Sequence, residues 1–451
     1  MEDTIAAIST ALGVGAISII RVSGPESISI VNKIFKGKDL NEVPSHTIHY
    51  GHIIDNEEIV DEVLVSVMRA PRTFTVEDVV EVNCHGGIAT TQKVLELLLT
   101  HGCRQADAGE FTKRAFLNGR IDLTQAEGVM DLIEAKTESS RALAISQVDG
   151  KVSQLIKDLR QEILEVLANI EVNIDYPEYE DIEEFTNEQL LPMIKKVKHS
   201  ILKILNESEN GKMIRDGIQT SIIGKPNVGK SSLLNALLNE SKAIVTDIEG
   251  TTRDIVEGTV HLDGILLHMI DTAGIRKTND IVESIGVKKS RQLMNESDLV
   301  LFVLNNNEPM NEEEKTILKE LESKNHIVVV NKIDLENHLD LRLLENHIVV
   351  SMSASQNIGI EDLKKAIKKL FALEKIETKD MTYLTSARSI ALLKEALCSL
   401  KELEQGLQHG YPMDILEIDL KKIWNDLGQI IGETYEEELI DQLFSQFCLG
   451  K

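Results

Sequence analysis

Eight residues constrain this chain more than any others. Gly224-Lys225-Pro226-Asn227-Val228-Gly229-Lys230-Ser231 is an instance of GxxxxGK[ST]. The apolar run Ser221-Ile222-Ile223 precedes it and the helix-forming SLLNALL follows, so a strand enters the loop and a helix leaves it. Glycines let successive backbone N–H groups curl around phosphate oxygens, and the helix N-terminus adds a favourable dipole. Lys230 is expected to reach the β- and γ-phosphates and Ser231 to ligate Mg²⁺, with Val228, Gly229 and Ser232 lining the same cradle. Such a loop belongs to a parallel α/β sheet. Residues 217 to 373 do alternate strand and helix patterns, with strand-like runs at 219–223, 266–270, 299–304, 327–330 and 348–351.

The rest of a guanine-nucleotide site follows in order, each motif at a strand's end. Asp271-Thr272-Ala273-Gly274 has the form of a Walker-B aspartate with a γ-phosphate sensor. Asn331-Lys332-Ile333-Asp334 follows three valines. The Asp334 carboxylate is placed to accept both N1–H and N2–H of guanine, a donor pair that adenine lacks, so the wrong base leaves buried groups unpaired. Ser353-Ala354-Ser355 offers a backbone amide for guanine O6. Gly250-Thr251-Thr252 supplies a switch threonine, with Thr252 the second expected protein ligand of Mg²⁺. The set implies GTP binding and hydrolysis.

One position departs from the Ras-like pattern. The water-orienting Gln that follows the DTAG-type motif is replaced by Ile275, which has no polar atom to offer. Asn227 is then a candidate to hold a monovalent cation against the phosphates, with backbone carbonyls near Thr246 and Ile248 completing a cage. Glu283, beyond residues 276–281, is a candidate to orient water, or else a surface acid.

Outside this module the patterns change. Residues 1–119 read as mixed α/β, with strands at 16–22, 48–54, 63–68 and 79–82 and a helix at 91–99. His85-Gly86-Gly87 reads as a turn with a packed histidine. Residues 120–214 read as helical: Val152, Ile156, Leu159, Ile163, Val166 and Ile170 form one stripe, which ends before an acidic stretch, read as a solvated loop, running to Glu184. Residues 377–451 are helical again, with Leu384, Ala387, Ile390, Ala391, Leu393 and Leu397 on a helical period. Neither helical part suffices alone, so the economical reading is a single helical domain with the α/β module, residues 215–376, inserted into it.

Composition narrows the surroundings. A formal charge of −26 argues against a generic basic coat for nucleic acid, so any RNA contact uses local patches or a partner. The four cysteines, Cys84, Cys103, Cys398 and Cys448, show neither CxxC nor metal-ligand spacing, which fits a reducing compartment. The first residues lack the layout of a signal peptide and no window is apolar enough to span a bilayer; a cytoplasmic location is expected.

At this point the residues carry a resemblance. GKPNVGKS, TDIEGTTRD, DTAGIR, FLNGRIDLTQAEGVMDLI and the ending Phe447-Cys448-Leu449-Gly450-Lys451 resemble the tRNA modification GTPase family called MnmE or TrmE, over essentially the whole chain. The resemblance implies a multidomain α/β fold: an N-terminal α+β folate-binding and dimerising domain (1–119), a helical domain, and an inserted Ras-like G domain. It implies potassium-dependent GTP hydrolysis driven by G-domain dimerisation within a homodimer. The implied partner is the FAD-dependent MnmG (GidA) subunit. Together the two install an aminomethyl or carboxymethylaminomethyl group at C5 of the wobble uridine of certain tRNAs, using a one-carbon unit from a folate such as 5-formyltetrahydrofolate.

Carried over by position, the potassium site is Asn227, Thr246, Ile248 and Thr251, and the nucleotide contacts extend over Asp247, Glu249 and Gly250. Lys230, Thr252 and the water-orienting Glu283 form the implied catalytic set. The implied folate site is Arg21, Glu81, Arg120 and Lys451: the cations suit folate carboxylates and Glu81 suits a pterin N–H edge. Position 120 is Arg where many members have Lys, and the ending reads Cys-Leu-Gly-Lys where Cys-Ile-Gly-Lys is common. Cys448 carries two readings, a functional thiol or a structural tail residue. The alternative to a tRNA-modifying enzyme is a ribosome-assembly or RNA-binding regulatory GTPase, but no GxxG loop in a basic context follows the G domain. A septin- or dynamin-like structural GTPase lacks any membrane or filament segment in the sequence.

Overall fold

The structure, a computed structural model, describes residues 3–175, 187–240, 258–262, 264–270, 291–371, 383–435 and 437–450. The chain forms two compact units: Met1–Met130, Val148–Leu191 and Cys398–Lys451 make one, and Asp131–Gln147 with Pro192–Leu397 the other.

The first unit begins with β1 (Ile5–Ile8), β2 (Ile17–Ser23), α1 (Ser27–Ile34), β3 (Phe35–Lys36), β4 (Thr47–Asp55), β5 (Glu58–Met68), β6 (Val79–His85), α2 (Ile88–Thr100) and β7 (Arg104–Gln105). The strands form one sheet in the order β3-β4-β5-β6-β2-β1-β7, antiparallel except for the β1–β7 pair. Alternation decides its faces. Ile20, Val22, Val63, Val65, Val67, Val80 and Val82 turn inward against Ile30 and Ile34 of α1 and Val94 and Leu98 of α2. On the other face Ile17, Ile48, Tyr50 and Leu64 stay exposed, at 63, 66, 62 and 47%. Tyr50 lies opposite Leu64, Leu64 opposite Asn83, and Asn83 opposite Ile19, so this is one continuous surface.

Helices follow: α3 (Glu110–Leu117), α4 (Leu123–Glu134), α5 (Glu138–Val148), α6 (Lys151–Asp175) and α7 (Asn187–Asp216). The expected stripe of α6 is buried along its length, from Val152 at 1% to Ile170 at 0% exposure. Its partner comes from the far end of the sequence.

The second unit holds the nucleotide-binding module: β8 (Ile218–Ile223), α8 (Lys230–Glu240), β9 (Thr259–Leu262), β10 (Ile265–Met269), β11 (Leu299–Asn305), α9 (Glu312–Leu321), β12 (His326–Asn331), β13 (Val349–Ser351) and α10 (Ile360–Leu370). The order is β13-β12-β11-β8-β10-β9, parallel except for the β9–β10 hairpin. A parallel sheet is covered on both faces, and every residue of β11 is buried. Leu299, Leu301 and Val303 face one core; Val300, Phe302 and Leu304 face the other.

The chain ends in α11 (Ala387–Gln408), α12 (Met413–Ile431) and α13 (Glu437–Phe444). The face expected for α11 is corrected at its alanines. Leu393 and Leu397 of the expected set are buried, as is Leu384 just ahead of the helix, whereas Ala387 and Ala391 are exposed, and the buried stripe goes on through Ala396, Leu400, Leu403 and Leu407. Ala387 and Ala391 bury too little area to choose a face, and the leucines decide it, with Ala396 carried into the core between them. α12 packs against α6, placing Leu416, Leu420, Ile423 and Leu427 in the core. Arg160 of α6 lies 4.0 Å above the Trp424 ring and pairs with Glu433.

Candidate functional site: a phosphate loop tied to two base loops

β8 is flanked by β10 and β11, so its C-terminal end opens at the middle of the sheet, and the loop from Gly224 to Gly229 turns there into α8. Gly229 has φ 103°, and a Cβ on it would run into the Asn331 side-chain amide, so only glycine fits. Asn227 is exposed and left-handed at φ 65°, a conformation Asn tolerates better than most residues. Ser231 and Ser232 are exposed in the first turn of α8.

Lys230 spans the loop. Its Nζ donates to the carbonyls of Gly224 (2.7 Å) and Lys225 (2.5 Å). Burial lowers its proton affinity below the usual lysine value. Two carbonyls thus occupy the ammonium where phosphate oxygens are expected. Lys225 is fixed from outside the loop: its Nζ lies 2.8 Å from Glu314 Oε2. That same oxygen accepts from the Asn311 backbone N–H, while Asn311 Oδ1 accepts from Glu314 N, a capping box that starts α9.

Asn331 joins the loops. It is 2% exposed; its Nδ2 donates to Val228 O at 2.8 Å and its Oδ1 accepts the Ala354 N–H at 3.0 Å. One of the three backbone amides offered to guanine O6, that of Ala354, is therefore engaged by Asn331. Lys332 follows at φ 65°, and Asp334 Oδ1 accepts from the Ser353 hydroxyl at 2.6 Å, which fixes the carboxylate expected to meet the guanine edge. Asn306, the residue just past β11, was not singled out from the sequence. Its N–H donates to Asn331 O, its carbonyl accepts from His338 and Leu339, and its Nδ2 donates to Leu335 O, so one buried residue shapes the whole segment after Asn331. Thr246, Asp247, Ile248, Glu249, Gly250, Thr251, Thr252, Asp271, Thr272, Ala273, Gly274, Ile275 and Glu283 lie outside the described residues, as do the acidic stretch to Glu184 and Lys451.

The second predicted site lies on the N-terminal sheet. Arg21 and Glu81 face each other across β2 and β6, with Arg21 Nε donating to Glu81 Oε1 at 2.9 Å. The Arg21 guanidinium lies 5.7 Å from the Phe111 ring, and that of Arg120 lies 5.3 Å from Phe74, which packs against the cluster of Ile5, Ala7, Ala106 and Phe111. Arg120 also donates to Thr73 O. Both cations therefore border one apolar patch.

The 73–77 segment beside the patch hangs on Arg114, which no motif in the sequence marks. Arg114 is fully buried and pairs with Asp3, Glu77 and Glu110 at 2.8 to 3.1 Å. Burial opposes ionisation of Asp3 and Glu110, yet Arg104 and Arg114 hold both below the usual carboxylate values. Ser23 and Thr75 extend the network to Glu77. The tail reaches the same unit: Ser9 Oγ donates to Gly450 O, and Gly109 N–H donates to Cys448 O. The Cys448 side chain is exposed.

His85 is corrected. It ends β6 with its side chain 71% exposed, and its Nδ1 lies 2.6 Å from Asp61. A histidine at the mouth of a Gly-Gly turn has no space to fill on the core side, because Cys84 already points there.

A family model described as the MnmE helical domain matches residues 123–448, and one described as the N-terminus of the GTP-binding protein TrmE matches residues 4–120. The tRNA modification GTPase MnmE of Bacillus cytotoxicus is 55% identical over 455 residues, spanning 100% of this chain and 99% of that one. The protein of the same name from Staphylococcus aureus is 53% identical with the same coverage. The FeoB G domain of Methanococcus jannaschii aligns with 34% of this chain and 97% of its own, at 26% identity and a TM-score of 0.26. The chain belongs to the MnmE (TrmE) family.

Proposed function

We propose that this chain hydrolyses GTP and spends the resulting conformational change in a complex that adds an aminomethyl or carboxymethylaminomethyl group to C5 of the tRNA wobble uridine. The observation that carries the reading is the buried Asn331 link, which ties a phosphate loop to the loop behind Asp334 in a chain 55% identical to named tRNA modification GTPases.

On GTP binding, Lys230 exchanges the Gly224 and Lys225 carbonyls for phosphate oxygens. Ser231, exposed at the start of α8, and Thr252 would hold Mg²⁺, which would supply positive charge to offset that of the phosphates. Asn227, with Thr246, Ile248 and Thr251, holds K⁺; its exposed, left-handed position supports that role. Ile275 has no group to orient water, so Glu283 takes that part.

Arg21, Glu81 and Arg120, bordering the Phe74–Phe111 patch, bind 5-formyltetrahydrofolate or a related folate together with Lys451. Glu81, which accepts from Arg21, would have acceptor capacity for a pterin N–H edge. The exposed apolar face of Ile17, Ile48, Tyr50 and Leu64 supports homodimer formation through this unit. The FAD-dependent MnmG subunit completes the complex, and a tRNA substrate puts the work in the cytoplasm. Among the described residues no helix is long and apolar enough to cross a membrane.

The test is nucleoside analysis of tRNA from cells lacking the chain. The modified wobble uridine is expected to disappear, to return with the wild-type gene, and to stay at least tenfold low with Arg21→Ala. An unchanged nucleoside profile on deletion overturns the reading.

A further inference from the structure

Four polar side chains from four separate segments meet where the chain enters and leaves the nucleotide-binding module. Asp131 comes from the last turn of α4, Gln147 from the last turn of α5, and Arg215 from the last turn of α7. Thr385 lies just before α11. The Thr385 hydroxyl donates to Asp131 Oδ2 at 2.9 Å and accepts from Gln147 Nε2 at 2.6 Å. Arg215 Nε lies 3.1 Å from Asp131 Oδ1, and its Nη1 donates to Thr385 O at 3.1 Å. Arg215 is two residues ahead of Gly217, which opens into β8, so this clasp pins both connections of the module at once.

The clasp is polar where apolar packing would hold helices together at least as well. Thr385 and Gln147 are 2 and 3% exposed, yet Gln147 Oε1 and the neighbouring Ser146 Oγ are buried without a hydrogen-bond partner. An unpaired buried acceptor carries a cost that a shifted arrangement recovers, which gives the network a reason to hold two states.

The other end of α5 touches the nucleotide-binding sheet. The β9–β10 hairpin turns at Gly264, φ 90°, and a Cβ there would stand 2.6 Å from Ser139 Oγ. Ser139 lies in the first turn of α5, which Thr137 and Ser140 cap reciprocally at 3.0 to 3.1 Å. One helix of 11 residues, roughly 16 Å at 1.5 Å per residue, therefore runs from the hairpin tip to the clasp. In sequence the hairpin separates the segment carrying Thr252 from the one carrying Asp271–Gly274, the two expected to meet the γ-phosphate. In the sheet β10 lies beside β8, the strand that leads into the phosphate loop.

We infer that α5 and the clasp of Asp131, Gln147, Arg215 and Thr385 are positioning elements that read the hairpin and couple GTP hydrolysis to tRNA modification. The inference rests on the function proposed above. A hairpin displaced with nucleotide state pushes on Ser139, α5 moves Gln147, and the shared Thr385 hydroxyl passes the change to Asp131 on α4. The earlier turns of α4 carry Leu123 and Ala126, packed with Phe444 and Phe447 ahead of the tail. Both ends thus bias one element, as coupling requires.

The test uses the full chain carrying Thr385→Val or Asp131→Asn, with Thr385→Ser as the conservative control. GTP turnover is expected to keep kcat and KM within twofold. The modified wobble uridine, in cells whose own copy is deleted, is expected to fall at least tenfold and to return with Thr385→Ser. Full modification by both variants, or GTP turnover falling in parallel, overturns the inference. Failure of the wild-type gene to restore the nucleoside instead sinks the function on which it rests. An independent measurement needs no variant and no tRNA: hydrogen exchange across Glu138–Val148 in the wild-type chain with GDP and with a non-hydrolysable GTP analogue. A tenfold or larger change in protection is expected; identical exchange overturns the coupling.

Discussion

Asn331 shows how a motif residue acquires its meaning. The sequence puts it in a base-recognition motif, and its side chain turns out to hold the phosphate loop and the Ser353–Ser355 loop in one frame. Asn331→Ala leaves the Val228 carbonyl and the Ala354 N–H buried and unpaired, each at about 1–3 kcal/mol. GDP affinity is therefore expected to fall at least tenfold while the fold is kept, measured by titration with a fluorescent nucleotide; unchanged affinity would show the link to be dispensable. Lys230, Ser231 and Asp334 are legible without coordinates because their motifs are short and each residue type has one chemical use. Asn306 and Arg114 are not, because Leu335 for the one and Asp3 and Glu77 for the other lie far away in sequence. Glu314 sits between: Asn311-x-x-Glu314 reads as a capping box, but its grip on Lys225 does not show in that spacing.

Elements follow the periodicity that large aliphatic side chains impose. The α6 stripe and the buried run of β11 are plain in the sequence, whereas α11 misleads where alanines stand in for leucines. The short strands β1, β3, β7 and β9 are not legible in the sequence, since two to four residues give no period to count; β13, as short, is legible from its place in the alternation of strand and helix patterns. One pairing between elements makes a pH prediction. His326 opens β12, and its Nε2 lies 2.8 Å from Nδ1 of His347, just ahead of β13. Burial and then His326 lower the proton affinity of His347 from its ordinary value of 6.5, against a smaller opposing pull from Glu322. The folded state therefore binds fewer protons than the unfolded one, so this contribution is present above pH 6.5 and is lost as pH falls through the lowered value. The urea midpoint is expected to drop between about pH 7.5 and about pH 5.5, and His347→Gln to remove part of that drop. Equal pH slopes in wild type and variant would exclude the pair as the cause.

At the scale of the molecule, GTP hydrolysis, cation and dimer belong to one prediction. If K⁺ held at Asn227 drives G-domain dimerisation, turnover per chain rises with protein concentration in K⁺ and stays low in Na⁺. Equal rates in both salts would remove the cation from the mechanism. The sequence by itself determined the nucleotide chemistry, because phosphate binding is done by contiguous backbone: Gly224 to Ser231 carry their function wherever a strand and a helix flank them. It also determined which long helices and central strands exist, through the spacing of their buried residues. Only the tertiary structure decided which distant side chains meet. Val228 with Asn331, Asp131 with Thr385, and Arg21 with Arg120 around one aromatic patch are separated by about a hundred residues or more. Contacts of that range are set by sheet order and helix packing, which no local pattern encodes.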